Sequence, residues 1–208
     1  MKIKGKHFSL LVGAGFAALL LVSAPALAAV APPLGVVQQF GVLGASAVTG
    51  QTGLGAVING DVGSYPTPSI SNFPPSSVLA PFVLHPTADA VVQQAQIDAT
   101  AAFTNLLGQG PGTALVAELG GTTRGPGVYS FSLTANIATT STLTLNGAGT
   151  YIFLVGSSIT ANVGSNVLLK NGATPCNVFW RVHDSATLNG NNFPGTVIAA
   201  VPSPWQPS

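Results

Sequence analysis

Between Leu143 and Ala199, short apolar runs alternate with small polar residues, and one run returns. Ile152-Phe153-Leu154-Val155-Gly156-Ser157-Ser158-Ile159-Thr160 is answered by Phe179-Trp180-Arg181-Val182-His183-Asp184-Ser185-Ala186-Thr187 at a constant offset of 27 residues. A repeat of that length made only of strand-like runs predicts a solenoid of stacked β coils. The predicted strands are 128–132, 142–145, 151–155, 159–160, 167–169, 178–182, 186–188 and 196–199. Earlier strand material begins at Phe40 and includes 47–49 and 56–58. These runs are short, with Gly, Asn or Ser at the corners, and few two-residue hairpin turns of the kind that mark a β-sandwich. Asn59-Gly60-Asp61-Val62-Gly63 reads as a tight turn. Residues 65–86 read as a Pro/Ser-rich loop pinned by Phe73 and Phe82, and 109–127 as a Gly/Pro-rich connection.

One stretch has the helical period instead. Residues 87–107 predict an α-helix, with Thr87 as N-cap, Asp89 in the first turn and Gly108 at the end. Its apolar stripe is Ala88, Val91, Val92, Ala95, Ala99, Ala102, Phe103 and Leu106. Small residues dominate the stripe, which suits close packing on a flat sheet; Gln93, Gln94 and Gln96 mark the solvated side.

The first 28 residues have the pattern of an export signal. Lys2, Lys4 and Lys6 precede an apolar core from Phe8 to Val22, and Ala26-Leu27-Ala28 is a small-x-small cleavage site. The apolar run is short for a membrane span, which takes about 20 residues. The reading is a secreted chain cut after Ala28, with no membrane attachment afterwards, a flexible lead-in at 29–39, and one domain over 40–200. Past the cut, Arg124, Lys170 and Arg181 face Asp61, Asp89, Asp98, Glu118 and Asp184. Three bases against five acids leave a formal net charge of −2. That leaves no basic patch for nucleic acid. Charged residues are 5% of the chain, against about 25% in ordinary domains. The high apolar content excludes disorder, so the surface of the folded domain is Ser, Thr, Asn, Gly and Ala. Cys176 is the single cysteine; it forms no disulfide within the chain and is expected to point inward as a small apolar residue.

Catalytic chemistry is hard to assemble from this inventory. His183 and Asp184 are neighbours on a predicted strand, so their side chains should point to opposite faces. There is no Gly-x-Ser-x-Gly elbow, none of the five acids forms an obvious glycosidase-like pair, and the metal-ligand spacing of Cys and His is missing. The reading is not an enzyme, with no cofactor and no metal. What recurs is a small-x-Thr triplet: Ala47-Val48-Thr49, Thr142-Leu143-Thr144, Ser158-Ile159-Thr160 and Ser185-Ala186-Thr187. In each, the middle residue is expected inside and the outer two outside. Coil stacking would spread the outward groups, with Thr49, Thr142, Thr144, Ser158, Thr160, Ser185 and Thr187 as the candidate face. The grid spacings would be about 6.7 Å along a strand and about 4.8 Å between rungs. Such a grid offers methyls that order water and hydroxyls that anchor it, although Thr also simply favours exposed strands.

Several segments taken together resemble a known family. They are Phe40-Gly41-Val42-Leu43 with Val48-Thr49, Val57-Ile58-Asn59-Gly60-Asp61-Val62-Gly63, and Ile97-Asp98-Ala99-Thr100-Ala101-Ala102-Phe103. Then follow Glu118-Leu119-Gly120-Gly121, Pro126-Gly127-Val128-Tyr129, Leu143-Thr144-Leu145, Tyr151-Ile152-Phe153 and Cys176-Asn177-Val178-Phe179-Trp180. In order and spacing over roughly 40–200 they resemble the secreted ice-binding, antifreeze-like proteins. The resemblance implies a mainly β fold: a right-handed discontinuous β-helix with one long α-helix alongside. It implies adsorption to ice or ordered water by one flat Thr/Ser/Ala face, extracellular action and no cofactor; a monomer is expected. The other reading is a structural or adhesive module binding polysaccharide or protein, with Tyr151, Phe153, Phe179 or Trp180 exposed for sugar stacking. The family pattern continues for about one further coil where this chain has Val201-Pro202-Ser203-Pro204-Trp205-Gln206-Pro207-Ser208. Three prolines there oppose a ladder strand, so 201–208 read as an irregular, truncated tail.

Overall fold

The computed structural model describes residues 28–50 and 57–199. The expected export signal as far as Leu27, Ala56 of one predicted strand, and the tail expected at 201–208 lie outside the described residues.

The chain winds two blocks of parallel coils with a helix between them. In the first block, β1 (Phe40–Gly44), β2 (Val48–Thr49) and β3 (Val57–Ile58) make one turn. The strands β4 (Asp61–Ser64), β5 (Ile70–Ser71) and β6 (Ser77–Val78) make the next. Each pairs in parallel with its counterpart one turn on: β1 with β4, β2 with β5, β3 with β6. The tight turn expected over 59–63 is therefore confined to Asn59-Gly60, and Asp61–Ser64 is a fully buried strand. Gly60 has φ +156°, and a Cβ there would overlap the backbone of Gly41. Only glycine lets the two coils approach at that corner. The loop expected over 65–86 contains β5 and β6 and completes the second coil.

The helix α1 covers Ala90–Leu107, three residues shorter at its start than the periodicity suggests. Asp89, not Thr87, is its N-cap: one carboxylate oxygen accepts from the amides of both Val91 and Val92 at 3.0 Å. A carboxylate reaching two orphan amides outcompetes a hydroxyl two residues earlier. Val92, Ala95, Ala102 and Leu106 are buried, while Val91 faces solvent. The small residues have the expected consequence: a Cβ on Gly63 would lie 2.9 Å from Val92. The lead-in at 29–39 is folded against α1. It holds a 3-10 turn (Gly35–Gln39). The Val36 amide donates to Asp98 Oδ2 at 2.7 Å, and Val30 exchanges two bonds with the Gln109 side chain at 2.9 and 2.7 Å.

The second block begins with β7 (Thr113–Ala114) and β8 (Thr123–Arg124), inside the stretch expected as a connection. One coil follows as β9 (Gly127–Phe131), β10 (Ala135–Ile137) and β11 (Thr142–Asn146). The next is β12 (Tyr151–Val155), β13 (Ile159–Ala161) and β14 (Asn166–Lys170). Last come β15 (Val178–Val182), β16 (Ala186–Leu188) and β17 (Thr196–Ala199). Three parallel sheets result, ordered β17-β15-β12-β9-β7, β10-β13-β16 and β14-β11-β8. The 27-residue repeat is the register itself: Tyr151 pairs with Val178, Val155 with Val182, and Ile159 with Ala186. This is a β-helix, mainly β, with α1 the one α-helix among the described residues.

Burial separates the three sheets. All five residues of β12 and of β15 are buried, because the interior covers one face and α1 the other. Leu106 packs against Ile152, Leu154 and Phe179 on that outer side. Inside, Tyr129, Phe153 and Trp180 stack at 5.4 and 4.0 Å in successive coils. Their polar tips bond locally, Trp180 Nε1 donating to the Pro194 carbonyl at 3.3 Å and the Tyr129 hydroxyl to the Gly125 carbonyl at 2.7 Å. Cys176 is exposed, against expectation. It sits in a 3-10 turn, Pro175–Asn177, none of whose residues is buried. The chain goes round the outside of the corner there instead of lining it.

Candidate functional site

The four Thr triplets are oriented as alternation demands. Val48, Leu143 and Ile159 are buried between outward neighbours, and Ala186 is half-buried between exposed Ser185 and Thr187. They do not share one sheet. Ser158, Thr160, Ser185 and Thr187 belong to the outer surface of β10-β13-β16, whereas Thr142 and Thr144 lie on β11 of the neighbouring sheet. Thr49 lies in the first block on β2, paired with Ser71 of β5; their hydroxyls are 3.3 Å apart. The seven residues expected as one face are thus divided, because successive strands of a coil turn a corner and face different ways.

Both large uncovered surfaces are in register, and β10-β13-β16 is the one whose strands carry no charge. Thr160 stands in register between Asn136 and Thr187. Two residues earlier, Ser158 and Ser185 directly precede the paired Ile159 and Ala186, and Thr134 directly precedes Ala135 of β10. The pairing runs through all three strands without a shift, so a regular lattice of hydroxyl and amide groups results at the spacings of a parallel sheet. No charged side chain belongs to these three strands. Charge is kept to the margins. Glu118, beside β10, is turned onto the amides of Gly120 (2.5 Å) and Ala138 (3.1 Å) and the side chain of Asn136. Asp184, at the corner before β16, accepts from the Ser157 hydroxyl at 2.7 Å. Asn162, after β13, reaches back to Asn136 Oδ1 at 2.8 Å and the Ile137 carbonyl at 3.0 Å, which fixes the far corner.

The β8-β11-β14 surface is broken up. Thr144 lies in register between Thr123 and Leu168, and Leu168 is 41% exposed. Asn146 is paired with exposed Lys170. A protruding leucine and a hydrated ammonium interrupt the array that Thr142 and Thr144 begin.

Two expectations about chemistry are corrected. His183 and Asp184 follow β15 in a bend, not on a strand, and their side chains approach to 3.9 Å, both more than half exposed. Asp61 and Asp89, unpaired in the sequence reading, converge on His85: Nδ1 is 2.8 Å from Asp89 and Nε2 3.6 Å from Asp61. Asp61 also accepts from the Val83 amide at 2.8 Å, and the imidazole stacks on Phe40 at 5.5 Å. This cluster ties the first block to the start of α1. Among the described residues no group of His, Cys, Asp or Glu is arranged to hold a metal ion. The aromatics considered for sugar stacking, Tyr151, Phe153, Phe179 and Trp180, are all buried, so the exposed platform which that reading needs is not formed by them.

Sequence reasoning missed Asn136 and Thr134. Their strand, β10, reads Ala-Asn-Ile and carries no Thr triplet. A 24-residue offset linking Ala135 to Ile159 was the available signal.

A sequence model of the family described as "Ice-binding-like" matches residues 42–201. The chain is 39% identical over 172 residues to an ice-binding protein of Nostoc sp. (strain HG1), covering 80% of this chain and 61% of that protein. It is 30% identical to ice-binding protein 1 of Shewanella frigidimarina (strain NCIMB 400), covering 81% of this chain and 22% of that one. It therefore spans less than two thirds of either relative. A solved ice-binding protein from an Antarctic biological consortium has the same fold, with TM-score 0.74 and 30% identity, covering 85% of this chain and 81% of that one.

Proposed function

The chain belongs to the ice-binding-like family, and on that premise we propose that it adsorbs to ice through the outer surface of β10, β13 and β16, inhibiting ice growth or recrystallisation. The observation that carries this reading is the pairing of Thr160 with both Asn136 and Thr187 on neighbouring coils of an uncharged sheet, with Ser158 and Ser185 directly before the paired Ile159 and Ala186. The named relatives are themselves ice-binding proteins.

The mechanism is adsorption, not turnover. Each hydroxyl holds one water and each Thr methyl restrains those around it, a contact worth little alone. A rigid lattice presents many such contacts at once, so they need not each bear a separate ordering cost. Ice that advances between adsorbed molecules must curve, and a curved front melts at a lower temperature, so growth stops. Neither a cofactor nor a catalytic residue enters this scheme. The protein works as a monomer outside the cell, delivered by the export signal that ends at Ala28.

The test is the growth of ice in the purified protein beside a heat-denatured sample. Native protein should give faceted crystals and keep a polycrystalline film fine-grained. Equal coarsening in both samples would overturn the reading.

A further inference from the structure

Arg181 occupies a position unusual for a cation. It belongs to β15 and lies in the outward row Ser130–Leu154–Arg181–Ile198 of the five-stranded sheet. That row is the side covered by α1, and Arg181 is only 8% exposed. No ion pair among the described residues involves it, and its Nε–H has no acceptor. Its guanidinium carbon lies 3.9 Å from the centre of the Phe103 ring. The ring face and the C-terminal end of α1 offset part of the charge, but neither accepts the Nε proton. Burial lowers its pKa from the usual arginine value, yet a guanidinium remains protonated in water's working range. A buried cation without a counter-charge is a position that calls for an anion.

Space for one adjoins it. An open groove with about 400 Å³ of water-accessible space lies between the end of α1 and the sheet, lined by Arg181, Ser130 and the apolar Leu107, Pro111, Phe131 and Leu154, with Gly110 and Gly156. Gly110 lies on its lining, and an added Cβ there would meet nothing within 4 Å. The lining is mainly apolar apart from Arg181 and Ser130, so an inorganic ion would leave most of that wall unused. We propose that this groove binds a small carboxylic acid in its ionised form, the carboxylate on Arg181 and a short apolar body against Leu107, Pro111 and Leu154. A carboxylate matches the planar donor fork of arginine. The site lies on the helix-covered sheet, away from β10-β13-β16, so it stands or falls independently of ice adsorption.

Calorimetric titration of the purified protein with sodium hexanoate tests this, with 1-hexanol and sodium chloride as controls at matched ionic strength. Saturable hexanoate binding is expected, with hexanol at least about tenfold weaker. Arg181→Met, which keeps an apolar stem, should lose at least about tenfold in hexanoate affinity, and Arg181→Lys should retain part of it. Leu107→Trp, at an exposed position on the rim, should weaken hexanoate with Arg181 intact, which keeps the test usable if Arg181→Met does not fold. The proposal is overturned if hexanoate does not bind saturably, if hexanol binds equally well, or if Arg181→Met binds hexanoate like the parent.

Discussion

Trp180 and Arg181 are consecutive on one strand and meet opposite environments. Trp180 points into the coil, stacked between Phe153 at 4.0 Å and Phe193 at 4.7 Å. Arg181 points outward under the helix. Alternation along the strand accounts for both, and it also explains why inside and outside were legible at Val48, Leu143 and Ile159. Cys176 was not legible, since a 3-10 corner has no alternation to read. Trp180→Ala should cost about 3–5 kcal/mol, as for other buried aromatics, measured as a lower denaturant midpoint; a loss under about 1 kcal/mol would mean that the aromatic stack contributes little. Cys176 should react with a thiol reagent in the native protein as fast as in the unfolded one, whereas slow labelling that speeds up on denaturation would mean that it is covered.

At the scale of elements, repetition carried the information. The 27-residue offset gave the register of β12 with β15 and of β13 with β16, and the bounds of both β12 and β15 match the apolar runs that announced them. Strands without such a run were missed. The bridges β5, β6, β7 and β8 are two residues each, held by their neighbours in the stack and not by any propensity of their own. The helix was visible in its period, and its start was misplaced because a capping competition between Thr87 and Asp89 is decided by geometry. That cap gives a pH prediction. Hydrogen bonds from the Val92 amide and His85 hold the Asp89 carboxyl below its usual value of 3.8. A carboxylate with a depressed folded pKa stabilises fully above its unfolded value and loses that contribution as pH falls through the folded one. Parent and Asp89→Asn should therefore differ in melting temperature at pH 6, and the gap should shrink below about pH 4. A gap that persists unchanged to pH 2 would contradict this origin.

For the whole molecule, the decisive fact is that a three-sided coil presents three surfaces of different make-up. One is covered by α1 and buried on both sides. Another carries Leu168 and Lys170 among its threonines. The third, formed by β10, β13 and β16, is uncharged and in register. A list of Thr triplets cannot separate the last two, because each triplet has the same alternation and only the corner between strands decides which way it looks. The resemblance covering residues 40–200 made the coil stack and its helix legible as a type. The division of Thr142 and Thr144 from Thr160 and Thr187 needed the fold. The proposed adsorption has the protein acting as a monomer: a single sedimentation peak of monomer mass across a tenfold concentration range should be seen, and a dimer would contradict that part of the proposal.

The most direct measurement is ice recrystallisation in Thr160→Tyr beside Thr144→Tyr, two outward threonines on adjacent sheets, each variant first matched to the parent by far-UV circular dichroism. A tyrosine at 160 breaks the level surface of β13 and should abolish most of the inhibition, while a tyrosine at 144 should leave it near the parent's. Inhibition that survives at 160 and is lost at 144 would put the ice-binding surface on β8-β11-β14 and contradict the assignment made here.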